Sequence, residues 1–129
     1  MSMPKKLVIN GRLSGMNELI EKNRQNPQAG AKLKRQAQAD VLWFIKSQIR
    51  GKLKEPVYMA YLWVEKDRRR DMDNVSAFGR KVIQDALVQS GKLKNDGWEN
   101  IKGFCDKVAI DNEMPRIDVM IYEAGEEIP

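Results

Sequence analysis

Eight consecutive residues, Val57-Tyr58-Met59-Ala60-Tyr61-Leu62-Trp63-Val64, are apolar or aromatic without interruption. A run this short and this rich in aromatic and β-branched side chains predicts a strand covered on both faces, the central strand of a sheet. Other segments must supply the cover. Ala31 to Arg50 repeats apolar residues at Leu33, Ala37, Val41, Phe44, Ile45 and Ile49, the steps of three and four that make an amphipathic helix, with Lys32, Lys34, Arg35 and Lys46 opposite. Gly51 stands where a left-handed residue closes a helix, and Pro56 ends the connecting loop. A second helix is predicted from about Asn74 to Ser90, closed by Gly91, with Val75, Phe78, Val82 and Ala86 facing the sheet.

The remaining segments are shorter. Leu7-Val8-Ile9 before Asn10-Gly11 reads as a strand ending in a turn. Met16 to Arg24 predicts a short helical turn, and Asn23 to Gly30, polar and carrying Pro27, predicts a mobile basic loop. Ile101 to Ile110 and the cleanly alternating Arg116 to Tyr122 complete the strands. Trp43 and Trp63 lie in periodic apolar segments and are expected in the core. One domain over residues 1–129 is expected from the length, with a flexible tail over 124–129.

Composition narrows the chemistry. Lys and Arg number 23 against 18 Asp and Glu, a net charge of +5 that favours polyanionic partners such as nucleic acid. With no His, imidazole is excluded as base, nucleophile partner or metal ligand. The lone Cys105, expected as a small buried hydrophobe, cannot form an internal disulfide or a multi-cysteine zinc site. Any bound metal is therefore held by oxygen, which points to magnesium or manganese. No stretch approaches the roughly 20 apolar residues that span a bilayer, so no membrane partner and a cytoplasmic location are expected.

Asp71 and Asp73 converge on one side of the backbone if the chain is extended there. Taken alone they have a plainer explanation: Asp73, or Asn74, caps the following helix. Within that helix Asn74, Lys81 and Asp85 fall within roughly 40° on the helical wheel, a stripe flanking the core face. An ordinary surface pair between Lys81 and Asp85 accounts equally well for their spacing. Phosphodiester hydrolysis needs carboxylates for one or two divalent cations and a further cation for the charge on the phosphorane. Asp71, Asp73 and Asp96 could be the ligands, Lys81 the cation, and Asp85 its holder.

The run Arg69-Arg70-Asp71-Met72-Asp73-Asn74, then Lys81-Val82-Ile83-Gln84-Asp85-Ala86-Leu87, then Gly91 and Asn95-Asp96-Gly97-Trp98, resembles the signature of the RusA family of crossover junction endodeoxyribonucleases. Ile9-Asn10-Gly11-Arg12-Leu13, Asn17-Glu18 and the basic helix from near Gly30 extend the resemblance over most of the chain, and Asn95-Asp96-Gly97-Trp98 is similar in particular to the phage and prophage branch. The resemblance implies an α/β homodimer that binds four-way DNA junctions and nicks two strands symmetrically with magnesium or manganese, in recombination, repair or phage DNA processing. The expected fold is then a small mixed β-sheet packed by two long helices, in the order β-α-β-α-β-β. It implies catalytic roles for Asp71, Asp73 and Asp96, and for a lysine three residues after the Asn, where Ala77 stands. Lys81 is seven after it. One added helical turn rotates a position by only roughly 40° and moves it roughly 6 Å, and the family's Lys-x-x-x-Asp is kept by Lys81 and Asp85, so Lys81 aligns with the catalytic lysine.

Arg68, Arg69 and Arg70 are the best DNA-contact candidates, drawing phosphate against the carboxylates. Each reads equally well as a solvated surface charge. Arg12, Arg24, Lys32, Lys34 and Arg35 would form a second basic surface that positions DNA without reading sequence. Trp98 reads first as a partly buried anchor and second as a stacking platform for an unpaired base. Asp106, Asp111 and Asp118 read first as ordinary surface charges and second as extra metal ligands. Besides a nuclease, the pattern permits a catalytically inactive protein that binds branched DNA, or a basic domain whose carboxylates only cap and pair.

Overall fold

The computed structural model describes residues 3–11, 13 and 16–129. In chain order the elements are β1 (Lys5–Asn10), α1 (Met16–Gln25), α2 (Pro27–Gln48), β2 (Val57–Glu65), α3 (Met72–Gln89), β3 (Ile101–Ile110) and β4 (Arg116–Tyr122). The protein is mixed α/β: four strands in the order β1-β4-β2-β3 form one sheet. β4 runs antiparallel to both β1 and β2, while β3 lies parallel to β2, with α3 making the connection between them.

β2 is interior, as its unbroken apolar run predicts, but the expected cover on both faces is corrected. Val57, Met59, Tyr61 and Trp63 are buried and join Val41 and Ile45 of α2 and Phe78, Val82 and Ile83 of α3 in one core. Tyr58, Ala60 and Leu62, on the opposite face by strand alternation, are only half-buried. That face owes its apolar character to lighter contacts: Tyr58 packs edge-on against Tyr122, ring centroids 6.4 Å apart, and Ile128 and Pro129 line the same cleft.

The predicted mobile loop at 23–30 is also corrected, and a third helix replaces the expected pair. α1 continues to Gln25, and Asn26 alone separates it from α2. Asn26 caps α2 by accepting a hydrogen bond from the Gln28 amide (2.9 Å), with Pro27 in the first turn. Proline interrupts a helix interior but suits a helix start, where its missing N–H would have no partner. At Gly30 the two helices pass close together, since a Cβ there would lie 1.7 Å from the Asn23 side chain.

Trp43 is 66% exposed rather than in the core. The buried stripe of α2 follows Ala37, Val41 and Ile45, and Trp43 lies about 200° round the helix from Val41. Trp63 is buried as expected, stacked on Tyr61 at 5.4 Å. Gly79 of α3 admits its ring, because a Cβ at Gly79 would sit 2.4 Å from it. The outer edge of β1 is closed by one side chain: the Gln48 amide accepts from the Val8 N–H (2.7 Å) and donates to the Val8 carbonyl (2.8 Å).

Candidate active site

The helix α3 carries most of the candidate residues, and both its ends are built by local chemistry. Asp71 is the N-cap, its carboxylate accepting from the Asp73 amide at 2.9 Å. This corrects the assignment of the cap to Asp73 or Asn74, and it corrects the extended Asp71–Asp73 pairing, because Met72 already belongs to the helix. Both carboxylates are exposed at the N-terminal end of α3. At the other end Gly91 has φ +80°, the Gly91 amide donates to Val88 O (3.0 Å) and Lys92 to Leu87 O (3.0 Å), the paired bonds of a Schellman stop.

On the exposed side of α3 the Lys81 ammonium lies 3.1 Å from Asp85 and 3.2 Å from Asp96. The first contact follows from helical spacing. The second depends on the turn after α3, which Glu55, just before β2, pins: its carboxylate accepts from the Lys94 amide (2.9 Å) and from the Asn100 side chain. Those same bonds, Asn100 first and then the Lys94 amide, hold the Glu55 carboxyl below the usual range. Hydrogen bonds to Asp85 and then Asp96 raise the Lys81 pKa above that of an ordinary lysine. Both contacts favour the charged form, so Lys81 is cationic at neutral pH.

Asp71 and Asp73 stand apart from this cluster. Eight residues of helix, about 12 Å of axial rise, separate Asp73 from Lys81. Among the described residues no group of three or more carboxylate or thiol side chains converges closely enough to hold one ion. Asp71 is engaged in capping and Asp96 in pairing with Lys81, so the expected ligand set Asp71, Asp73 and Asp96 does not form a ready-made metal cage in this chain.

The three adjacent arginines diverge. Arg68 and Arg69 are exposed, Arg69 lying 3.7 Å from Asp67. Arg70 turns inward: it forks onto Glu65 (2.7 and 2.9 Å), reaches Glu18 (3.0 Å) and donates to the Leu13 carbonyl (2.6 Å). Burial opposes its charge, but the bonds to Glu65 and Glu18 prevail and its pKa is raised. Its geometry is that of a tie between the end of β2 and α1. Arg24 on α1 and Lys32, Lys34 and Arg35 on α2 are exposed. Arg12 lies outside the described residues.

A second polar cluster adjoins Lys81. Arg80 pairs with Asp106 of β3, Asp106 accepts from the Trp63 indole N–H (2.9 Å), and the Arg80 guanidinium sits 4.6 Å from the centroid of the Phe104 ring. Asp106 is therefore more than the isolated surface charge expected. The only sequence signal for this cluster was Arg80 standing beside Lys81, because its partners come from another element. Asp111 accepts from the Glu113 and Met114 amides within a turn, and Asp118 accepts from Arg116 at 3.2 Å. Cys105 is half-buried on β3 rather than fully buried. Trp98 departs furthest from expectation: it is 97% exposed, beside Asp96, and anchors nothing.

Against models of known families and against curated protein sequences, the chain has no match. Among the described residues no helix is long and apolar enough to cross a membrane.

Proposed function

We propose that this protein is a structure-selective endodeoxyribonuclease of the RusA type, acting on four-way DNA junctions as a homodimer with magnesium or manganese. The observation that carries the reading is the convergence of Lys81, Asp85 and Asp96, drawn from α3 and from the turn that follows it. An ammonium paired with two carboxylates suits the stabilisation of negative charge that develops on a phosphorane. Arg68 and Arg69 lie at the end of α3 that bears Asp71 and Asp73, where they draw a phosphate backbone toward exposed carboxylates. Paired symmetric nicks need two sites related by a twofold axis, hence a dimer.

The second reading is a branched-DNA-binding protein that does not cut. It is favoured by the finding that among the described residues no three carboxylate or thiol side chains converge to hold one ion. A synthetic four-way junction incubated with magnesium or manganese separates the two, with Asp73→Asn and Lys81→Ala as controls. Paired nicks that vanish in both variants and on chelation support the nuclease. Binding without nicks leaves the second reading, and equal affinity for junction and linear duplex removes both.

A further inference from the structure

Trp98 is the most exposed of the large hydrophobic side chains that the described residues present, and it stands on a hydrogen-bonded turn. The turn that carries it is closed by hydrogen bonds from the Asn100 amide (3.0 Å) and the Ile101 amide (2.9 Å) to the Gly97 carbonyl, and Asn100 is held in turn by Glu55. A tryptophan this exposed contributes little to the fold. It shares a cleft of about 550 Å³ with Phe104, which is 47% exposed, and with Gln84, Asp96 and Lys102. Arg80 lies over Phe104, and Lys81 reaches Asp96 at the cleft wall.

The cleft thus offers two aromatic surfaces, a side-chain amide, the Asp96 carboxylate and one lining cation, Lys102, with the ion-paired Arg80 and Lys81 at its edge. Aromatic faces stack on any base, an amide can hydrogen-bond a base edge, and cations hold the phosphate that comes with it. An apolar peptide would leave Lys102 and the Gln84 amide unused. From this we infer that the cleft between α3, the Gly97–Asn100 turn and β3 is a subsite for one unpaired nucleobase, with Trp98 as its stacking platform. The inference rests on the DNA reading above and adds to it the feature selected: a base unstacked at the branch point, rather than branching alone. The unstacked base occupies the cleft while its phosphate lies toward Lys81, so the subsite would set the register of the strand at the reacting group.

Binding measured by fluorescence anisotropy tests this, using a four-way junction with one unpaired adenine at the branch point, the fully paired junction, and a linear duplex. The native protein should bind the unpaired-base junction more tightly than the paired one. Trp98→Ala should lose about tenfold on the former, the scale of one stacked base, and lose little on the linear duplex, whereas Trp98→Phe should retain most of the affinity. Unchanged thermal melting of both variants establishes that they fold. Junction binding by the native protein that is indifferent to Trp98→Ala overturns the subsite and leaves the function standing. A native protein without preference for any branched DNA overturns the function and the subsite with it. A variant that loses self-association but not DNA affinity assigns the face to a second copy of the chain and overturns the subsite.

Discussion

Lys81 shows how one side chain is given a single role. Its two carboxylate partners raise its pKa, so its charge is complete below the ordinary lysine value near 10.4 and is lost only above it. The proposed cleavage should therefore show no alkaline loss attributable to Lys81 below about pH 10. Lys81→Ala should reduce single-turnover cleavage by about 10²–10³-fold, the scale of one lost charge-stabilising group, with much less effect on junction affinity. Comparable losses in both would mark Lys81 as a DNA anchor instead. Gly79 makes a second prediction at this scale. Alanine there gains about 1 kcal/mol of helix propensity, but its Cβ meets the Trp63 ring, which Tyr61 and Asp106 hold in place. Overpacking of this kind costs about 1–3 kcal/mol, so Gly79→Ala should lower the midpoint of denaturant unfolding. An unchanged or higher midpoint would mean that the ring moves aside. The Lys81–Asp85 contact was legible in the sequence, because a spacing of four fixes it. The approach of Asp96 and the Arg80–Asp106 pair were not, since both depend on the packing of elements distant in sequence.

At the scale of elements, the sequence located the strands and both long helices well, and it failed where one residue type serves two purposes. Pro27 and its polar neighbours have the composition of a loop, yet Asn26 and Pro27 are a helix start placed directly after another helix. The unbroken apolar run of β2 signalled an interior strand correctly, but it could not separate burial by helices from partial cover by Tyr122 and the chain after β4. Gln48 was read only as a member of a periodic helix, and its work at the β1 edge depends on where α2 crosses the sheet. Gln48→Ala would leave the Val8 N–H and carbonyl without that partner. A loss of about 1 kcal/mol in unfolding free energy is expected for such a bond, together with faster aggregation, since an unprotected edge invites strand addition. Light scattering during thermal unfolding checks the second effect; identical aggregation rates would argue that the edge needs no guard.

For the whole molecule, Glu123 ties together segments that are distant in sequence. Just beyond β4, it accepts from the Lys54 amide at 2.7 Å and pairs with Lys5 of β1 at 3.0 Å. Burial works to raise its pKa, but the Lys54 hydrogen bond and Lys5 outweigh this and the carboxyl is held low. A depressed glutamate stabilises the fold above its unfolded value of about 4.3 and ceases to do so as pH falls through the lower folded value. Melting temperature should therefore drop below about pH 4.3, and Glu123→Gln should melt lower at neutral pH with a shallower acid decline; parallel curves would contradict this. The proposed dimer is checked by sedimentation at the concentrations used for cleavage, where a monomer that nicks both strands would count against a twofold arrangement.

The strand order has a temporal consequence. β4, the strand furthest along the sequence, lies between β1 and β2. A chain leaving the ribosome can bring β2, α3 and β3 together while β1 still has no strand to pair with. Only when β4 emerges can the first strand join the rest, so synthesis must pass Tyr122 before the sheet closes. Until then the edges of β1 and β2 that β4 will occupy stay unmatched, and a nascent chain is most open to mispairing in this interval.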